Sequence, residues 1–117
     1  MAYTEKFQAL ADAARTRVAA VSPSQVDAIV AAGGVLLDIR DKEEFDVDHI
    51  PTARNVSRGT LEMNVESIVP DLEAVIVCYC NANNRGALSA DTLRAMGYRN
   101  VRYIAGGRKA YRASSAA

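Results

Sequence analysis

The run V-I-V-C-Y-C-N-A-N-N-R-G-A-L-S-A-D-T-L-R-A-M-G-Y, from Val75 to Tyr98, constrains this chain more than any other stretch. Val75 to Tyr79 is apolar and partly β-branched, as a buried strand requires. Cys80 stands where that strand stops. Asn81, Asn83 and Asn84 hydrogen-bond locally and tolerate unusual backbone angles. Gly86 to Met96 reads as a helix, with Ala90, Leu93 and Met96 towards one side and Gly97 as its C-terminal stop. A cysteine therefore falls on a tight polar loop that feeds a helix N-terminus, with Arg85 at the far end of the loop.

Such a position favours a thiolate. The unpaired N–H groups at a helix start face the loop, and the helix dipole stabilises negative charge there. With a cation such as Arg85 nearby, these surroundings lower a thiol pKa from about 8.5 to roughly 3.5–7.5. The thiolate is the nucleophile, so Cys80 needs no histidine base. A free cysteine is often only a small buried hydrophobe; the C-x4-R spacing and the helix behind it set Cys80 apart. The other cysteine, Cys78, lies in the strand. A disulfide between positions i and i+2 closes a very small, strained ring, so this is no disulfide scaffold, and a reducing, cytoplasmic setting fits. C-x-C and one distant histidine, His49, do not make a four-ligand zinc site, so neither a metal nor another cofactor is expected.

Strands alternate with helices elsewhere, which argues for a parallel α/β sheet. Tyr3 to about Val18 has Phe7, Leu10, Ala14 and Val18 at helical spacing, with Thr4 as a possible N-cap. Residues 1–20 are read as an amphipathic helix packed on the domain, 21–112 as the domain proper and 113–117 as a fraying tail. Val18–Val21 reads as a short strand. Ser22-Pro23 opens a helix that stops at Gly33-Gly34, and Val35–Ile39 reads as a strand covered on both faces. Asn55-Val56 is another short strand, Leu61–Val69 a helix and Val101–Ile104 the final strand, after which Gly106-Gly107 begins a terminal helix.

In a parallel sheet, ligands bind beyond the carboxyl ends of the strands. Asp38 and Arg40 lie near that rim, where they shape the pocket or form an ion pair that orders Asp41 to Phe45. Arg58, on the loop after Asn55-Val56, is a candidate for the pocket wall, where it could meet an anionic donor. His49, in the turn Asp48-His49-Ile50-Pro51, reads as a hydrogen-bonded structural residue. Formal net charge is zero, so no nucleic-acid or acidic-lipid surface is indicated, and no apolar run approaches the roughly 20 residues of a membrane span.

Y-C-N-A-N-N-R-G-A-L-S-A, followed by M-G-Y-R-N-V-R-Y-I-A-G-G-R-K-A-Y, resembles the second half of a rhodanese domain. L-L-D-I-R-D-K-E-E-F-D-V-D-H-I-P-T-A-R-N-V resembles its first half. The resemblance spans roughly Val21 to Arg112. It implies a rhodanese-like α/β fold, a central parallel sheet of about five strands flanked by helices on both faces. It also implies sulfur transfer through a Cys80 persulfide held in the six-residue loop Cys80–Arg85. The N–H groups of Asn81, Ala82, Asn83, Asn84, Arg85 and Gly86 would cradle the terminal sulfur. The donor implied is thiosulfate or a persulfide, and the acceptor a thiol or cyanide. Three departures stand out. Asp48 and Thr52 replace the glycines of a Gly-His-Ile-Pro-Gly-Ala pattern, which alters a loop; Asn83 stands where glycine is common; Tyr111 stands where tryptophan is common. A sulfur-carrier or regulatory binding module with little thiosulfate turnover is the alternative. Phosphatase or arsenate-reductase chemistry is the lesser one, because the related phosphatase loop is one residue longer.

Overall fold

The computed structural model describes residues 3–115. The strands are β1 (Ala19–Val21), β2 (Val35–Asp38), β3 (Arg54–Asn55), β4 (Val75–Tyr79) and β5 (Asn100–Ile104). The helices are α1 (Glu5–Arg15), α2 (Val26–Ala31), α3 (Lys42–Val47), α4 (Leu61–Ile68), α5 (Asn84–Ala95) and α6 (Gly107–Ser115). All five strands pair in parallel, in the order β1-β5-β4-β2-β3. This is the α/β architecture that the alternating pattern predicts.

Period-two alternation along β4 divides the core between the two faces. Ile76 and Cys78 point to one side, among Leu61 and Val65 of α4 and Ala87, Ala90 and Leu93 of α5. Val77 and Tyr79 point to the other, with Val26 of α2 and Tyr111 of α6. The Tyr111 hydroxyl donates to Asp27 Oδ1 at 2.6 Å, so this large ring packs and also ties α6 to α2. α1 packs on α5: Ala11 and Ala14 are fully buried beside Leu88. Small residues on both helices permit that close approach.

Several boundaries differ from the sequence reading, each for a local reason. α1 ends at Arg15, because the N–H groups of Thr16 and Arg17 turn back to the carbonyls of Ala13 and Ala14. Val18 then drops against the core. α3 is a true helix where only an ordered loop is expected; Asp41 and Glu44 form a reciprocal capping box at its start. α5 begins at Asn84, ahead of the expected Gly86, since the Asn83 carbonyl already accepts the Ala87 N–H. Ala113–Ser115 continue α6 instead of fraying, and the Ser114 hydroxyl donates to the Tyr111 carbonyl; Ala116 and Ala117 lie outside the described residues. The turn after Pro51 places Thr52 at φ 72°, a left-handed angle that suits glycine better than a β-branched residue.

Candidate active site

The carboxyl ends of β2, β4 and β5 converge, because β4 lies between the other two. Each delivers one part of a site: Asp38 and Arg40 from β2, Cys80 from β4 and the Gly106-Gly107 corner from β5. The loop after Cys80 is gripped from behind by the start of α6. The Arg108 N–H donates to the Cys80 carbonyl at 2.8 Å, and the Lys109 N–H to the Asn81 carbonyl at 3.3 Å. In a trans peptide the C=O and the following N–H point in opposite directions, and there is no cis bond among the described residues. Turning those two carbonyls towards α6 therefore turns the N–H groups of Asn81 and Ala82 the other way, into the loop. Among the described residues, the N–H groups of Asn81, Ala82 and Asn83 donate to no protein acceptor. They are available to an anion, at the N-terminal end of the α5 dipole.

Cys80 sits at the floor of this cradle. Its Sγ accepts the Gly86 N–H at 3.3 Å. The loop does not leave the thiol on the surface: Cys80 is only 3% exposed and belongs to the same side of the core as Cys78. The outlet is a pocket of about 200 Å³ lined by Tyr3, Phe7, Ala82, Asn84, Arg85 and Lys109, besides Cys80 and Asn81. Cys78 has no outlet. It is 0% exposed, and burial, with a smaller push from Cys80, drives its thiol up to about 12.

Arg85 does not point free into the cradle. Its guanidinium forks onto Glu44 of α3, at 2.9 Å to Oε1 and 3.2 Å to Oε2. Glu44 Oε2 also accepts Asn81 Nδ2 at 3.2 Å, so one carboxylate holds both ends of the loop. The Arg85 hydrogen bonds pull the Glu44 carboxyl below its usual range, against the opposing effect of burial. Sequence reasoning missed Glu44, although Asp41-x-x-Glu44 is a capping-box pattern that could have raised a helix here.

Asp38 and Arg40 are both at the rim and both buried, at 0% and 3% exposure. Arg40 donates Nε to Asp38 Oδ1 at 3.0 Å and Nη2 to Oδ2 at 2.8 Å. The same guanidinium reaches the Asp48 carbonyl at 2.6 Å and Asn81 Oδ1 at 3.3 Å. The pair thus supports the loop through Asn81 without facing the sulfur. Asn83 has φ −114°, so the position does not use the left-handed angle that a glycine would supply. Its side chain takes another role: Oδ1 accepts the Gly106 N–H at 2.8 Å and ties the loop to the β5 corner.

Arg58 is not in this pocket; it lines a separate depression with Gly59, Glu62 and Thr92. The turn after Asn55 carries it away, since its N–H is bound to the Ile39 carbonyl. His49 bonds the Phe45 carbonyl through Nδ1 at 2.9 Å and stacks on the Phe45 ring, as a structural residue does. No cluster of three or more metal-ligating side chains occurs among the described residues, and none of their helices is long and apolar enough to cross a membrane.

This geometry has close counterparts. The chain is 35% identical to the adenylyltransferase and sulfurtransferase UBA4 of Candida albicans, over 74% of this chain but only 22% of that much longer protein. It is 29% identical to the thiosulfate sulfurtransferase GlpE of Pseudomonas savastanoi pv. phaseolicola, over 80% of this chain and 87% of that one. A solved structure from Rhodopseudomonas palustris, of a protein described as a possible tyrosine phosphatase, superposes with a TM-score of 0.85 at 28% identity, covering 98% of this chain and 95% of that chain. The rhodanese-like domain model matches residues 22–114, and with the parallel sheet and the cysteine loop this places the chain in the rhodanese-like domain family.

Proposed function

We propose that this protein is a sulfurtransferase that carries sulfane sulfur as a Cys80 persulfide. The observation that carries the reading is the 3.3 Å contact from the Gly86 N–H to Cys80 Sγ, inside a loop whose amides face inward. The thiolate attacks the outer sulfur of thiosulfate, a new S–S bond forms, and sulfite leaves with the electrons of the old one. The terminal persulfide anion then lies among the N–H groups from Asn81 to Gly86, which are fixed before the reaction starts. A thiol or cyanide attacks that outer sulfur and releases the Cys80 thiolate. The sulfurtransferase names of the relatives support the reading. A reducing compartment such as the cytoplasm would keep the thiolate available.

The description of the Rhodopseudomonas palustris protein raises phosphate-ester hydrolysis. Two features of this chain weigh against it. The loop is one residue shorter than the phosphatase type, and the Arg85 fork that would hold phosphoryl oxygens is occupied by Glu44. Intact-protein mass after incubation with thiosulfate decides the matter. A gain of one sulfur atom, removed by reductant and absent in Cys80→Ser, is expected. No gain, together with hydrolysis of p-nitrophenyl phosphate, would reverse the assignment. No gain and no hydrolysis would favour a binding module.

A further inference from the structure

A separate hollow, of about 540 Å³, lies between α2 and the sheet. It is on the opposite face from the reactive cysteine: Val21 and Ile29, which line it, belong to the α2–α6 side of the core, and Cys80 to the α4–α5 side. It extends to Val75, the first residue of β4, and to Gly33-Gly34, which join α2 to β2. Its size falls in the range of small-molecule sites, about 300–1,000 Å³. The walls are apolar, made by Val21, Ile29, Ala32 and Val75. Two polar side chains interrupt them, Gln25 and Arg102. Alternation along β5 places the arginine there. Val101 and Tyr103 face the α4–α5 side, so Arg102 shares the α2 side with Ile104.

Both polar groups present donors. Gln25 Oε1 is taken by the Ser22 N–H at 2.9 Å, which leaves the amide Nε2 to donate. Arg102 is half-buried, yet among the described residues its guanidinium has neither an ion-pair nor a hydrogen-bond partner. It also lines a smaller depression of about 230 Å³, together with Arg17, Arg94 and Arg99. There Asp91 is shared by Arg17 at 2.7 Å and Arg94 at 3.0 Å, while Glu73 holds Arg99 at 2.8 Å. Arg102 is thus the guanidinium of this group left without a counter-ion, and no carboxylate lines either hollow. The carbonyls of Ile29 and Val30, near the end of α2, accept the N–H groups of Gly34 and Gly33 and not Arg102. A guanidinium beside apolar walls has lost part of its water, and unused donors return nothing for that loss.

We propose that this hollow is a second ligand site, for a small organic anion with an apolar body. A carboxylate or phosphate head lies on the Arg102 fork, with Gln25 Nε2 as a further donor. Arg17, Arg94 and Arg99 add positive potential from the neighbouring depression. The body covers Val21, Ile29, Ala32 and Val75. A bare inorganic anion leaves the apolar walls in water, and a neutral apolar molecule leaves Arg102 unpaired, so neither uses both halves of the site. Binding makes and breaks no covalent bond. The site goes beyond the Cys80 chemistry and does not rest on it.

Hexanoate, hexyl phosphate, hexan-1-ol and acetate separate head from body on the full chain at fixed ionic strength. Backbone amide shifts are followed by NMR for the native protein, Arg102→Gln and Arg102→Lys, with melting curves to confirm folding. Arg102 has no partner to lose, so both variants should melt close to the native protein. Hexanoate and hexyl phosphate should bind in the millimolar range and shift the amides of Gly33, Gly34, Val75 and Arg102, leaving Asn81 to Gly86 unmoved. The tighter of the two identifies the preferred head. Hexan-1-ol and acetate should each bind ~10-fold more weakly or worse. Arg102→Gln should erase the gap between hexanoate and hexan-1-ol, and Arg102→Lys should keep most of it. Equal binding of hexan-1-ol and hexanoate to the native protein would show that the cation has no part. Shifts confined to Asn81–Gly86 would put the anion in the Cys80 loop instead. Concentration-dependent dimerisation through the four amides, without hexanoate binding, would give the hollow to a second copy of the chain. Each of these results, like the absence of any shift, would overturn the site.

Discussion

Gly107 and Cys80 are coupled through backbone alone: a Cβ on Gly107 would lie 2.5 Å from the Cys80 carbonyl oxygen and would overlap that of Ala82. Gly107 also has φ 64°, which side chains other than glycine rarely adopt. Both neighbours are backbone and cannot swing aside, so the loop or the start of α6 must move. Gly107→Ala is expected to cost about 2–4 kcal/mol from the left-handed angle and the overlap together. It should also slow Cys80 loading more than Gly59→Ala, a position where a Cβ meets nothing within 4 Å. Equal melting temperatures and loading rates for these two variants would contradict the coupling.

The two cysteines share one side of the core but not one environment. Cys78 is sealed and its thiol is pushed up to about 12, whereas Cys80 lines a pocket and receives the Gly86 N–H. Brief iodoacetamide treatment of folded protein near neutral pH should label Cys80 at least ~100-fold faster than Cys78. Sulfur loading should protect Cys80 until reductant is added. Peptide mapping reads both outcomes; equal labelling would defeat the proposed division of roles.

Arg40→Met would leave the Asp38 carboxylate buried without its partner. Removing one member of a buried pair costs about 3–5 kcal/mol, while replacing both by apolar residues is often far milder. Denaturant unfolding should therefore rank Arg40→Met below the double variant Asp38→Leu/Arg40→Met. Asp38→Ala should harm stability more than the single-turnover rate of persulfide formation. An unchanged melt with abolished persulfide formation would instead put Asp38 in the chemical step.

The Glu44–Arg85 pair sets a pH dependence. Its depressed folded pKa means that its contribution is present above the ordinary carboxylate value and is lost as pH falls through the lower folded value. Both side chains are 32% exposed, so screening keeps the contribution under about 1 kcal/mol. Glu44→Gln should lower the melting temperature by at most ~5 °C at pH 7, and the gap should close as pH falls below the ordinary carboxylate range. A gap that widened on acidification would show that the sign is wrong.

Thr52 holds a β-branched side chain at φ 72°. Relief of roughly 1–2 kcal/mol of left-handed strain exceeds the extra freedom glycine gains when unfolded, about 0.5–1 kcal/mol. Thr52→Gly should raise the melting temperature by a few degrees, and Thr52→Asn should do so as well, without the entropy cost. Thermal scans of the three proteins suffice; a lower value for both variants would mean that the Thr52 side chain contributes something its angle does not reveal.

The β4 strand, the cysteine at its end and the helix behind it were legible because their signals are local. Val75–Tyr79 alternates faces, and the loop residues announce a turn. The rest of the site was not legible because it is built from distant pairs. Nothing near Asn84 points to Gln8, and nothing near Arg85 points to Glu44. Periodicity marks α1 as amphipathic but is silent on whether Phe7 covers a core or a pocket. Asn83 shows the same limit: its composition fits a left-handed turn, yet the Gly106 N–H recruits its side chain and the backbone stays right-handed. Arg58 erred in the other direction, since proximity to the rim in sequence does not fix where a loop carries its side chain.

The grip of α6 on the loop also fixes when the site can exist. A ribosome releases α1 and β1 first, yet among the described residues β1 pairs with β5 alone, and the Cys80 carbonyl is met by the Arg108 N–H. The nucleophile is therefore synthesised well before the residues that aim its loop. A nascent chain halted between Tyr98 and Gly106 holds an ordinary thiol beside an open sheet edge, exposed to oxidants and to other chains. On the sulfur-transfer reading, the loop is fully aimed only once the start of α6 grips it, so a product truncated before Arg108 is expected to load little sulfur at Cys80.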